Sequence, residues 1–283
     1  MRHIRLRKMA AVIIMGVLLI TTLGLTGCGI QTKRNLKKVL EKALQERYNE
    51  EFVCLNVWAN GGPSYFGVCY PKNNRDLLFE TLFIDDGEIA RDEYASSLAS
   101  KELEELLYNQ LSDLFQECYI KCYNYGVAED TVTVEKIQSG EFDLDYFIKT
   151  IMESQSDCNF NVSFRICINK DAGINATYEE EYKRLNQAMN YIAQIGNEYG
   201  VQYKLICFLY FLPSDVYEEG VAYFNDHARA SSAFEYIILG EHRNLKREIR
   251  MDYDENIKPF SRKEYEPMPI TQKDYVEMRK SLE

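Results

Sequence analysis

The chain of 283 residues carries 44 acidic against 33 basic residues, and its formal charge of −11 argues against a body built to neutralise nucleic-acid phosphates. Hydrophobic residues make up 46% of it, enough to bury a full core as one large domain or two small ones without a disulfide scaffold.

The first residues include Arg2, Arg5, Arg7 and Lys8, and no acidic residue precedes Glu41. Met9 to Leu25 follows as an apolar run, broken only by Thr21 and Thr22 among weakly polar residues. A spanning helix needs about 20 apolar residues, so this run sits at the lower limit. A basic n-region, a short apolar h-region and a small-residue cleavage site together describe an export signal. The run closes in Leu25, Thr26, Gly27 and Cys28, with an aliphatic residue three before the cysteine and small residues between.

That tetrapeptide resembles the lipobox of bacterial lipoproteins. The resemblance implies cleavage between Gly27 and Cys28, a thioether from the Cys28 thiol to diacylglycerol, and Cys28 as the mature N-terminus on the extracytoplasmic face of the cell membrane. Stable anchoring takes two lipid signals, and diacylglycerol brings two chains in one modification. An uncleaved N-terminal helix and an ordinary secreted chain are the other readings of the run. Loss of residues 1–27 leaves 29 basic and 44 acidic residues, a charge near −15. Such a body is repelled by anionic headgroups, so the lipid is expected to hold it unaided.

The expected organisation is a signal peptide over 1–27, a lipidated tether over 28–33, a globular α+β region over 34–251 with a subdivision near 128, and a charged tail with prolines and tyrosines over 252–283. Lys33 to Tyr48 places Leu36, Val39, Leu40, Ala43 and Leu44 at helical spacing with charges between them. Phe52 to Trp58, Ser64 to Tyr70 and Leu77 to Ile84 read as three strands joined by short turns around Gly61-Gly62 and Asn73-Asn74. Helical spacing resumes from Leu98 to Tyr119, so the N-terminal half is predicted as α-β-β-β-α.

Thr131 to Ile137 has strand composition, and Leu144 to Met152 reads as a helix. Phe160, Val162, Phe164, Ile166 and Ile168 alternate with polar residues and Cys167, predicting a strand with one buried face. Thr177 and Glu180 form a capping-box pattern before a helix that Gly200 is expected to stop. Tyr203 to Leu212 is nearly all apolar, as in a central strand covered on both faces. Ser214 or Asp215 is the expected cap of a short helix, further helices are expected over Ser232 to Arg250, and the tail is expected to pack loosely, with a short helix after Thr271. The element order predicts an α+β fold with helices on a mixed or antiparallel sheet.

Seven cysteines remain beyond Cys28, an odd number scattered through apparent strands and helices, which predicts free buried thiols. Cys118 and Cys122 are expected one helical turn apart. His227 and His242 lack a matching carboxylate motif, and no nucleophile elbow, zinc helix, phosphate loop or dinucleotide fingerprint occurs. Asp252 to Asn256 starts like a calcium loop but has Ile257 and Lys263 where Gly and Glu belong. No metal or cofactor is therefore expected.

Two places remain for function. Asp85, Asp86, Glu88 and Asp92 cluster at a strand end, and such carboxylates serve glycan hydrolysis when they face a cleft about 5 to 9.5 Å apart. A solvated turn is the simpler account of them. Trp58 beside Asn60-Gly61-Gly62-Pro63 could stack on a sugar or a partner side chain if exposed. It shares a strand face with Asn56 but also with Phe52 and Cys54, which favours core or rim packing.

The stretch VLEKALQERYNEEFVCLNV is similar to the opening of uncharacterised lipoproteins of Gram-positive bacteria, a likeness over about 25 residues that names no activity. The sequence is best read as a membrane-anchored, non-catalytic envelope module that contacts a protein or a cell-wall component. An envelope glycan hydrolase using the acidic residues is the rival. A two-lobed solute-binding component would need repeated α/β halves, which are not seen.

Overall fold

The computed structural model describes residues 33–125, 131–154, 159–173, 175–198, 202–227, 246–251 and 271–281. The fold is α+β. Helix α1 (33–48) turns Leu36, Leu40, Leu44 and Tyr48 inward at four-residue spacing, and all four are buried. Asn49 then takes φ of 56°, the left-handed conformation that ends helices, and its amide bonds to the Gln45 carbonyl at 2.9 Å.

Strands β1 (Phe52–Gly61), β2 (Ser64–Pro71), β3 (Phe79–Ile84) and β4 (Ile89–Asp92) follow as an antiparallel meander in the order β1-β2-β3-β4. Gly61 and Gly62 both have positive φ in the first hairpin, where an L side chain would be strained. β4 was not expected. Its four residues are too few and too polar to alternate visibly, and they pair because Gly87, at φ of 99°, turns the chain straight back onto β3.

Helix α2 (Tyr94–Leu111) ends earlier than its spacing suggests, and Cys118–Tyr125 is strand β5 rather than the helix's last turns. Leu114 and Phe115 imitate helical spacing while packing from a turn. After them the chain alternates Ile120 and Cys122, both buried, with Tyr119 and Lys121. Cys118 and Cys122 therefore sit four residues apart along a strand.

Helices α3 (Thr131–Ser139) and α4 (Leu144–Ser154) come next. The strand expected at Thr131 to Ile137 is thus a helix. β-branched composition is overridden by tertiary packing, because Val134 and Ile137, three apart, rest on the first core while Val132 faces solvent. β6 (Asn159–Asn169), the short 3-10 turn Lys170–Ala172, α5 (Tyr178–Glu198) and β7 (Gln202–Leu212) form a parallel β-α-β crossover. The capping box at its helix is present: the Thr177 amide donates to Glu180 and the Glu180 amide to Thr177 Oγ1. Gly200 lies outside the described residues.

Helix α6 (Ser214–Asp226) is capped by neither Ser214 nor Asp215 side chains. Instead Asp171 accepts from the Ser214 amide at 2.9 Å, while buried Asn169 accepts from the Asp171 amide and the Ser214 hydroxyl. β8 (Lys246–Met251) pairs antiparallel with β7, replacing the helix expected through Arg250. The second sheet is therefore mixed, in the order β5-β6-β7-β8. Helix α7 (Gln272–Lys280) contradicts loose packing at its end of the tail, since Tyr275 is fully buried and Arg279 nearly so.

Three clusters make up the core among the described residues. The first joins α1 to the inner face of the first sheet through Phe52, Cys54, Val57, Cys69, Phe79 and Phe83. The second lies between α2, α4, α5 and α7 and one face of the second sheet. The third seals the other face of that sheet under Val216, Tyr223 and Phe224 of α6. β6 thus has both faces covered at Cys167 and Ile168, more than its alternation suggested.

Candidate interaction surface

Among the described residues the first sheet is covered on one side only. All its residues in the hydrophobic clusters point to the α1 side. The opposite face carries a row that crosses all four strands in register: Trp58 beside Phe66, Phe66 beside Leu82, and Leu82 beside Arg91. Trp58 is 36% exposed, Phe66 and Leu82 are half-buried, and Arg91 is exposed. The Trp58 and Phe66 rings stack at 5.7 Å with 30° between planes, so each narrows the motion of the other. Val68 and Ile84 extend the same face, and Leu55 is 37% exposed at its border.

Strict alternation would have put Trp58 on the side of Phe52 and Cys54. Leu55 prevents this. Cys54 opposes Cys69 and Asn56 opposes Val68, so Leu55 is an extra residue, a β-bulge that exchanges the two faces for the rest of the strand. Val57 goes to the core and Trp58 comes out. Helix α1 holds the bulge from the strand's free side, with Lys37 Nζ donating to the Leu55 carbonyl and Glu41 accepting from the Cys54 amide at 2.9 Å. Those contacts occupy backbone groups that an added strand would need.

The acidic cluster is dispersed. Asp85, Asp86 and Glu88 are exposed in the β3–β4 turn, where Asp86 accepts from the Glu88 amide at 3.0 Å. Asp92 is buried at the far end of β4. Its Oδ1 accepts from Tyr48 Oη at 2.7 Å and from the Tyr94 amide at 3.1 Å, and Arg47 Nε lies 3.2 Å from its Oδ2. Burial pushes Asp92 up to about 6, against the opposing pull of Arg47 and the Tyr94 amide. It ties α1 to α2 and shares no cleft with the turn. The four carboxylates do not converge as a hydrolytic pair requires.

His227 Nδ1 lies 2.7 Å from the Tyr223 carbonyl and its ring stacks on Tyr223 at 3.9 Å, a local contact at the end of α6. His242 and the calcium-like Asp252 to Asn256 lie outside the described residues. Among the described residues no group of three or more His, Cys, Asp or Glu could hold a metal, and no helix is long and apolar enough to cross a membrane. Cys54, Cys69, Cys118, Cys122, Cys167 and Cys207 are free, as expected, while Cys158 lies outside the description. Burial raises the thiols of Cys69, Cys118, Cys122, Cys167 and Cys207 above their ordinary range, which marks them as packing residues. Cys28 and Gly27 also lie outside the described residues.

Several buried polar contacts were not legible in the sequence. Glu104 of α2 accepts from the Cys122 amide and pairs with Lys121 at 3.5 Å. The Arg165 guanidinium lies over the Phe208 ring at 3.6 Å. Such contacts depend on register between elements far apart in the chain.

No family model and no curated protein matches the sequence. The fold does have likenesses among solved structures. A DUF5037 family protein from Ruminococcus gnavus ATCC 29149 aligns with a TM-score of 0.63 at 19% identity, over 86% of this chain and 98% of that one. A DUF1672 family protein from Staphylococcus aureus subsp. aureus Mu50 aligns at 9% identity with a TM-score of 0.26, over 62% of this chain and 79% of that one. The first shows a shared fold.

Proposed function

We propose that the chain is a lipid-anchored, extracytoplasmic module without catalytic chemistry, which binds a protein of the cell envelope through the open face of its first sheet. The supporting observation is the row Trp58, Phe66, Leu82 and Arg91, in which the Leu55 bulge turns Trp58 out of the core. A partly exposed, pre-stacked aromatic pair beside an arginine has the composition of a binding hot spot. The aliphatic residues Val68, Leu82 and Ile84 around it suit a protein surface better than a hydroxyl-rich glycan. Support for the anchor is the Leu25-Thr26-Gly27-Cys28 tetrapeptide behind its basic and apolar segments.

Two experiments test this. A photo-crosslinking residue at Trp58 in intact cells should capture one reproducible protein, and Arg91→Glu should abolish capture; recovery of wall glycan alone would overturn the protein assignment. In detergent partitioning the wild-type should enter the detergent phase and Cys28→Ala should not. Equal partitioning would overturn the anchor.

A further inference from the structure

Net charge says that the mature body should avoid an anionic membrane, yet the charge is unevenly placed. Residues 33 to 42 hold Lys33, Arg34, Lys37, Lys38 and Lys42 against Glu41 alone, a local charge of +4 on a chain of about −15. Because α1 buries Leu36, Leu40 and Leu44 against the sheet, Lys33, Arg34, Lys38 and Lys42 are left exposed. Lys38 and Lys42 line a shallow depression of about 370 Å³ between α1 and the start of β1, and Lys72 closes its far side.

The acids beside this flank are already engaged. Glu41 accepts from the Cys54 amide, and Glu51 pairs with Lys72 at 2.7 Å. Glu46 pairs with Lys42 at 3.2 Å across a highly exposed helix turn, an arrangement worth little in water. The other flank of the helix has the opposite character: Val39 and Ala43 rest against Gly87, in the turn that carries Asp85, Asp86 and Glu88. One side of the first layer is basic and the other acidic.

Four residues lie between Cys28 and residue 33, about five chain steps, and an extended chain spans at most about 3.3–3.6 Å per residue. Acylation of Cys28 would thus hold the start of α1 within about 18 Å of the headgroups, roughly two screening lengths at physiological salt. We propose that the Lys33, Arg34, Lys38 and Lys42 face of α1 docks on the anionic phospholipid headgroups of the membrane that holds Cys28, turning the acidic β3–β4 turn away from it. This rests on the lipid-anchor proposal above. Basic residues near a tethering point are attracted by an anionic surface even when the whole body is acidic, because the field decays before it reaches the distant acids.

The test uses the lipidated full-length protein labelled at Gln45→Cys, an exposed, uncharged site in the depression, on vesicles bearing an energy-transfer acceptor at their surface. Transfer should be about twofold higher on phosphatidylglycerol-rich vesicles than on phosphatidylcholine vesicles. It should fall to the phosphatidylcholine level in Lys33→Glu/Arg34→Glu/Lys38→Glu, or in about 1 M salt with the wild-type, where the screening length is about 3 Å. A label at Ala90→Cys on β4 should show no gain. Equal transfer on the two lipids, or a gain that survives both charge reversal and salt, would overturn the docking. Failure to bind phosphatidylcholine vesicles at all would instead strike the anchor itself, since acyl chains suffice there. Tighter binding to soluble poly(glycerol phosphate) than to phosphatidylglycerol vesicles would reassign the face to an anionic wall polymer.

Discussion

Arg279 Nε lies 2.8 Å from Glu181 Oε2, joining helices α7 and α5 across 98 residues of sequence with both side chains almost sealed from water. Nη2 reaches Oε1 at 3.3 Å, Tyr275 Oη donates to Oε2 at 3.1 Å, and the guanidinium lies over the Phe211 ring at 3.8 Å. A buried pair adds little net stability as a unit, but removal of one member strands the other charge at about 3–5 kcal/mol. Arg279→Met should therefore be strongly destabilising in urea titration, and Glu181→Gln/Arg279→Met should recover much of the loss. Losses that simply add in the double variant would show that the pair is not coupled.

Asp92 gives a pH dependence of defined sign. Its native value, about 6, lies above the 3.8 of an unperturbed aspartate, so the native state binds this proton more tightly than the unfolded chain does. The associated stability is fully present below about 3.8 and is lost as pH rises through 6. The swing is on the order of 3 kcal/mol. Asp92→Asn keeps the acceptor for Tyr48 and the Tyr94 amide, so the stability difference between it and the wild-type should move in the variant's favour from pH 4 to 7. A difference independent of pH would refute this account.

Gly67 illustrates how closely α1 lies on its sheet. A Cβ built there meets the Leu40 side chain, and Leu40 is fully buried. Gly67→Ala should cost about 1–3 kcal/mol by overpacking, and Leu40→Ala about 2–5 kcal/mol by leaving a cavity. The double variant should cost clearly less than the two together, because each change relieves the other. Additive thermal-unfolding losses would count against the close approach.

Trp58 faces outward because Leu55 is bulged out of the ladder rather than paired. Deleting it removes the bulge without moving the pairs on either side, so Cys54, Asn56, Val57 and Trp58 meet Cys69, Val68, Gly67 and Phe66 in a regular ladder and Trp58 stays on the open face. Tryptophan emission should be unchanged in the deletion and in Leu55→Ala alike; a blue shift on deletion, with Trp58 turned toward α1, would refute the bulge. As Trp58 is the chain's one tryptophan, the signal is unambiguous.

The parts of this fold that were legible in the sequence are those whose periodicity is local. Leu36, Leu40 and Leu44 announce α1, the alternation from Phe160 to Ile168 announces β6, and Thr177 with Glu180 announces α5. The α+β class follows from their order. The misreadings have three physical origins. Leu114 and Cys118 fit a helical stripe by coincidence, the Val and Thr of α3 have strand composition that long-range packing overrides, and the Leu55 bulge exchanges faces without any sign in the residue types. The candidate surface suffered most, because a single unpaired residue moved Trp58 from one side of the sheet to the other.

The position of α7 bears on how the protein is made. The first sheet pairs only strands adjacent in the chain, between Phe52 and Asp92, so a polypeptide delivered from its N-terminus can close that layer over α1 early. The second core stays open at one side until Tyr275 and Arg279 arrive to cover α5. During that interval the apolar interior around Phe211 lacks its guanidinium lid, and it is the later layer, rather than the earlier one, that depends on protection from aggregation as the chain emerges.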